Sequence, residues 1–207
     1  MRILLIGATG MVGSRVAAEA RGRGHEVTGV TRSGAEGTAK AEAGDAAAVA
    51  ALAEGHDAAV LAIAPPRDGS EAEGPLLAAG RGVLAGLRAA GVRRLVVVGG
   101  AGSLEAAPGV RLVDTPGFPD AYKAEALAHG ALLDVIRAEA GDLDWTYISP
   151  AALIEPGERT GTFRLGGDQL LSDADGNSAI SAEDYAIALV DELEKSEAVG
   201  RRITVAY

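Results

Sequence analysis

Three glycines, Gly7, Gly10 and Gly13, punctuate the run Ile6-Gly7-Ala8-Thr9-Gly10-Met11-Val12-Gly13. Residues 2–7 (RILLIG) before them form a short apolar run of the kind shown by a strand buried on both faces. After them Val12, Val16 and Ala20 recur at helical spacing. Glycines between a strand and a helix can hold an anion. Gly7 permits the tight turn, Gly10 lets the backbone approach a pyrophosphate, and Gly13 lets the helix lie close on the strand. N–H groups of the first helical turn then face the anion, and the helix dipole adds ~0.3–1 kcal/mol. A turn used only for packing is the competing reading. The place of this turn, opening an alternating chain, favours a dinucleotide held by Gly7, Ala8, Thr9, Gly10, Met11, Val12 and Gly13.

Roughly 20 residues further on, the end of the second strand selects between NAD and NADP. A carboxylate there would accept from a ribose hydroxyl and repel a 2′-phosphate. Val30-Thr31-Arg32-Ser33 offers instead a guanidinium and two hydroxyls. Arg32 as a phosphate ligand makes NADP the expected cofactor, with NAD possible; an ordinary exposed arginine is the alternative. Asp45 opens a helix and can accept from an adenine amino group, cap the helix, or do both. Ala62, Ile63 and Ala64 leave a strand beside the cofactor crevice and are expected to line it, as are Ser149, Pro150, Ala151 and Ala152 at the carboxyl edge of a later strand.

The elements needed to hold these residues alternate along the chain. Residues 2–7, His25–Thr31, a weak segment near Thr38–Ala43, Asp57–Ile63 (stopped by Pro65-Pro66), Arg94–Val98 and Trp145–Ser149 read as strands. Helices are predicted over Met11–Arg23, Ala46–Ala53, Glu73–Ala90 and Ala121–Glu139, the first ended by Gly24. This rhythm implies right-handed crossovers and a doubly wound parallel α/β sheet of the Rossmann type, in one domain over residues 1–207. After Pro150 the rhythm changes. Turn signals at Pro156-Gly157, Gly166-Gly167 and Asp175-Gly176-Asn177 suggest a small substrate cap over residues 151–180, followed by a helix from Ser181 and a last strand in RRITVAY.

Composition removes several classes. A net charge of −10, with basic residues no more than paired (Arg93-Arg94, Arg201-Arg202), argues against a nucleic-acid surface. With no cysteine, disulfides, thiolate metal sites and cysteine nucleophiles are excluded, and no metal site is expected. The amino-terminal apolar run is too short for a signal peptide, and no later run approaches a membrane span. A cytoplasmic protein, a monomer or weak homo-oligomer serving a small-molecule acceptor, is expected.

GATGMVGSRV, GDAAAVAALAEGHDAAVLAIAP, RLVVVGGAGSL and LDWTYISPAALIEPG together resemble the atypical short-chain dehydrogenase/reductases. The nearest group is the small flavin reductase and biliverdin IXβ reductase-like proteins, and the resemblance spans essentially the whole chain. It implies NAD(P)H binding and hydride delivery to a bound acceptor. Ordinary members of the superfamily use a serine and a Tyr-x-x-x-Lys pair. Ser103 fits the serine position; Tyr122 and Lys123 are adjacent and do not fit the pair. Alignment back from Leu143-Asp144-Trp145 puts the lysine position near His129 and the tyrosine position near Glu125.

Ser103, Tyr122 and His129 are therefore the candidate catalytic residues, each with a plain alternative. The plain readings are that Ser103 only caps loop backbone, Tyr122 only packs, and Glu125 and His129 only pair on a helix surface. His25 and His56, before strands, read as structural. Leu153, Ile154 and Phe163 are expected to wall an apolar acceptor pocket. Since only 3% of residues are aromatic, a diffusing acceptor is expected in place of a tightly held flavin. Three functions stay open: a reductase of flavin, quinone or a similar molecule; a sugar epimerase or dehydratase; and a non-enzymatic NADP-binding redox sensor.

Overall fold

The computed structural model describes residues 1–65 and 67–207. Among the described residues twelve strands and five α-helices follow one another as β1 (Arg2–Ile6), α1 (Met11–Gly22), β2 (Glu26–Thr31), β3 (Ala39–Lys40), α2 (Ala46–Ala53), β4 (Ala58–Leu61), α3 (Glu73–Ala90), β5 (Arg94–Val98), β6 (Glu105–Ala107), β7 (Val110–Arg111), α4 (Asp120–Glu139), β8 (Asp144–Pro150), β9 (Leu153–Glu155), β10 (Arg164–Gly166), β11 (Ala179–Ser181), α5 (Ala182–Lys195) and β12 (Arg201–Ala206). Eight strands form the central sheet in the order β10-β12-β8-β5-β4-β1-β2-β3, parallel throughout except for β10. From β1 the chain winds first towards β3 and then, from β4 onward, in the other direction. The crevice between β1 and β4 is thus the switch point, where ligands of open α/β sheets bind.

Both faces of the sheet are covered, so its inner strands are buried on both sides. Leu4, Ile6, Leu61, Leu95, Val97 and Tyr147 meet α2, α3 and α4; Ile3, Leu5, Val60, Val96 and Ile148 meet α1 and α5. On α4 the buried residues Ala126, His129, Leu132, Leu133 and Ile136 recur every three or four positions and turn one stripe to the sheet. One buried ion pair crosses the second face. Arg94 on β5 meets Glu192 on α5 at 2.7 Å, and the guanidinium also donates to the Thr146 hydroxyl at 2.9 Å.

Several expectations shift. β4 ends at Leu61, so Ala62 and Ile63 lie outside the strand, although the Ala62 N–H still bonds the Ile6 carbonyl at 2.8 Å. The weak third strand shrinks to Ala39–Lys40. Pro65 is buried, and Pro66, the second half of the predicted stop, lies outside the described residues. The region expected to form a cap is only partly separate. β9 and β11 make a small parallel pair, but β10 joins the central sheet antiparallel to β12. The short hairpin β6–β7 has no counterpart in the sequence reading.

Candidate functional site

Gly7 takes φ +91°, and a Cβ there would stand 2.2 Å from the Ala62 carbonyl oxygen. A Cβ on Gly13 would stand 2.1 Å from the Gly7 carbonyl oxygen, so strand, turn and helix interlock through bare backbone. Gly10 is different. It is exposed at the head of α1, and the nearest atom to a Cβ there would be the Gly7 oxygen at 3.4 Å, leaving its other side open.

No side chain caps α1 and no acidic residue stands in its first turn. By contrast, Asp45 caps α2, Ser181 caps α5, and Glu73 and Asp120 stand in the first turns of α3 and α4. Among the helices of the described residues, α1 alone has neither a capping side chain nor an acidic residue in its first turn to face its positive end. Ala8 is buried under this turn; Thr9 and Met11 are exposed and Val12 half-buried around it.

The β2 end lies directly beside the turn, since the Gly7 N–H bonds the Val30 carbonyl at 2.9 Å. Arg32 and Ser33 are exposed there. Thr31 is not available as a phosphate donor, which corrects the expectation for it. Its hydroxyl oxygen accepts the N–H groups of Gly34 and Ala35, both at 3.1 Å, and it faces the Thr38 hydroxyl at 2.9 Å. Thr38 already donates to the Ala35 carbonyl at 2.6 Å, so Thr31 spends its proton on Thr38. Asp45 is a cap: its Oδ1 accepts from the Ala47 and Ala48 N–H groups at 3.1 Å, and its side chain stays exposed. Ala62 and Ile63 are half-buried and Ala64 exposed along the crevice wall.

Across the crevice, β8 ends in Ser149 and Pro150, both buried, with Ala151 buried and Ala152 exposed. Tyr147 and Ser149, two apart on a strand, point to the same face. The Tyr147 hydroxyl donates to the His129 carbonyl at 2.8 Å, which fixes that face as the one under α4. Here two buried polar atoms lack a partner, Ser149 Oγ and His129 Nδ1. His129 is only 5% exposed, and burial pushes its imidazole down to about 4, so it is neutral near pH 7. The surface pair of Glu125 with His129 does not form. Glu125 is instead held by Arg67, Nε to Oε2 at 2.5 Å, and the guanidinium of Arg67 lies 5.1 Å from the centre of the Tyr122 ring.

Ser103 caps no backbone. Its oxygen accepts from Arg202 Nη1 at 2.9 Å, and that buried arginine also meets Asp168 at 2.5 Å. Of the three expected acceptor-pocket walls, Ile154 and Phe163 pack against the core and Leu153 is exposed. A cavity of about 320 Å³ beside them is lined by Leu153, Glu155, Ile180 and Tyr207, among others. A larger one, about 480 Å³, lies at the opposite end of β8 and β12, among Trp145, Asp168 and Arg202. His56 bonds the Thr28 hydroxyl at 2.9 Å and His25 bonds Glu194 at 2.8 Å, both away from the crevice.

The model of a family described as NAD(P)H-binding matches residues 7–196, which begins on the first glycine of the turn and runs to the end of α5. This chain belongs to the NAD(P)H-binding family. A solved protein from Burkholderia pseudomallei, provisionally named an exported protein, is 50% identical, each chain covering 100% of the other, with a TM-score of 0.91. One from Bacteroides thetaiotaomicron, provisionally named an epimerase, is 39% identical over 100% of this chain and 96% of that one, at 0.89. A third, from Streptococcus pneumoniae and provisionally named an NADH-flavin reductase, is 35% identical over 100% and 99%, at 0.84.

As an NAD(P)H-binding, oxidoreductase-like Rossmann protein, the chain offers a site that suits the cofactor class: bare backbone around an uncapped helix on one side, orphaned buried polar atoms on the other. Among the described residues no helix is long and apolar enough to cross a membrane, and no group of three or more His, Asp or Glu side chains is placed to hold a metal. The sequence reading missed Arg67 and Arg202. Nothing local marks them, because their partners Glu125 and Asp168 are remote in sequence and meet them only through the fold.

Proposed function

We propose that this protein is an NADPH-dependent reductase of a small conjugated acceptor of the flavin or quinone kind. The observation that carries the cofactor half is α1, which has neither a capping side chain nor a carboxylate in its first turn and begins on a glycine turn at the switch point. Bound there, the dinucleotide supplies a two-electron reductant. In this reading the N–H groups of Met11, Val12 and Gly13 would hold the pyrophosphate over the turn made by Gly7, Ala8, Thr9 and Gly10, whose own N–H closes the turn on the Gly7 carbonyl at 3.1 Å. Asp45, Ala62, Ile63 and Ala64 line the adenine half, and Arg32 takes the 2′-phosphate. Ser149, Pro150, Ala151 and Ala152 meet the nicotinamide end.

The acceptor half rests on the α4 side. His129, neutral and buried, brings one donor and one lone pair without adding charge, and positions what lies against it. Ser103 keeps its hydroxyl proton to donate while Arg202 holds the oxygen. Tyr122, 48% exposed, stands at the entrance. No Tyr-x-x-x-Lys relay is present on α4, which disfavours sugar epimerisation and suits an acceptor needing little acid catalysis. We place the protein in the cytoplasm, acting alone or as a weak homo-oligomer, with no nucleic-acid or membrane partner.

Titration with NADPH and NADH, followed by absorbance loss with FMN, riboflavin or a quinone, tests this reading. Acceptor-dependent oxidation of NADPH supports it, binding without turnover points to a redox sensor, and no binding sinks it. Arg32→Ala is expected to weaken NADPH about tenfold, the loss of one charge-assisted phosphate contact, and to leave NADH unchanged.

A further inference from the structure

Sixteen of the nineteen lysine and arginine side chains are engaged by a carboxylate or a backbone carbonyl. Among the described residues Arg32, Lys40 and Lys123 alone have neither a hydrogen bond nor an ion pair. Two of these three converge on one place. Thr31 and Lys40 are partners in the β2–β3 pairing, and Arg32 follows Thr31 directly. The Lys40 stem runs along the loop after β2: a Cβ on Gly34, which has φ +67°, would lie 2.9, 3.5 and 3.6 Å from its Cβ, Cγ and Cδ. Glu36 and Glu42 belong to the same stretch and are exposed, yet neither pairs with Arg32 or Lys40.

In a chain of net charge −10, two adjacent cations without a counter-ion are out of keeping with the rest of the surface. The loop between them is tied at its start, because the Thr31 hydroxyl accepts the Gly34 and Ala35 N–H groups. It also abuts the glycine turn through Val30 and Gly7. A planar guanidinium and a compact ammonium carried by the carboxyl ends of neighbouring strands suit a phosphate monoester, whose three oxygens exceed what one arginine can satisfy. We infer that Lys40 is a second ligand of the 2′-phosphate and, with Arg32, sets the preference for NADP over NAD. This inference rests on the NADPH reading above.

Lys40→Met keeps the stem against Gly34 and removes only the charge. Dissociation constants of adenosine 2′,5′-bisphosphate and of 5′-AMP, which differ by the 2′-phosphate alone, can be measured by calorimetry at low and high salt. Lys40→Met is expected to weaken the bisphosphate about fivefold at low salt, less at high salt, and to spare 5′-AMP. Lys40→Arg should restore the wild-type ratio. If Lys40→Met leaves the ratio intact while Arg32→Ala lowers it, Lys40 is a bystander and the inference fails alone. Equal weakening of both ligands would make Lys40 a structural residue and also overturn it. If the wild-type protein binds the two ligands equally, the NADPH reading falls and the inference with it.

Discussion

His129 shows how a buried side chain without a full set of partners makes itself felt away from any reaction. In the unfolded chain its imidazole protonates near its ordinary 6.5, but in the fold it does so only near 4, chiefly because it is buried; Glu125 opposes that effect and Arg67 adds to it. Between those two values the unfolded state binds more protons. Acidification through this window therefore removes stability, by roughly 3 kcal/mol in all for such a gap. His129→Phe is expected to flatten the fall in the urea midpoint between pH 6.5 and pH 4 relative to wild type, whatever its effect at neutral pH. An unchanged slope would mean that His129 is protonated in the fold.

At the scale of the elements, Asp45 separates capping from binding. Asp45→Ala removes the acceptor of two N–H groups on α2 and is expected to cost about 1 kcal/mol, or about 2–4 °C in melting temperature. Asp45→Asn can still cap, so its stability should stay near wild type, and any loss of dinucleotide affinity in that variant reports on the adenine amino group. Elements of this kind were legible in the sequence because their signals are local. RILLIG before three glycines, Gly24 after a helix, and Ser181 before Glu183 and Asp184 each carry their own physics. The α3 bounds, Glu73–Ala90, agree with the sequence reading. What stayed hidden is non-local. The alternation of residues 164–166 cannot reveal that they pair antiparallel with the end of β12. No spacing rule brings Arg67 over Tyr122, or Arg202 to Ser103. Thr31 read as a free hydroxyl because the turn that consumes it needs Thr38 and Ala35 folded back on it.

Across the whole molecule, the second face is tied together by the pair Arg94–Glu192, which links β5 to α5 and draws in Thr146 on β8. Burial pushes the Arg94 guanidinium down while Glu192 opposes that effect. Removing one partner leaves a buried charge without its counter-charge. Glu192→Gln is thus expected to destabilise the protein by about 3–5 kcal/mol in urea denaturation. Replacing both partners by Met should recover much of that loss, and a double variant no better than the single one would show that the Thr146 network matters more than the charges.

The placement of β12 bears on how the protein is made. Residues 201–206 follow every other strand of the sheet in sequence, yet they lie between β8 and β10. While the ribosome is still releasing that segment, the first part of the chain can already assemble β1 to β5 and the glycine turn. The outer edge of β8, however, stands bare, with Thr146, Tyr147 and Ile148 offering unpaired backbone to any neighbouring nascent chain. The glycine turn is ready early; protection from wrong pairing waits for β12.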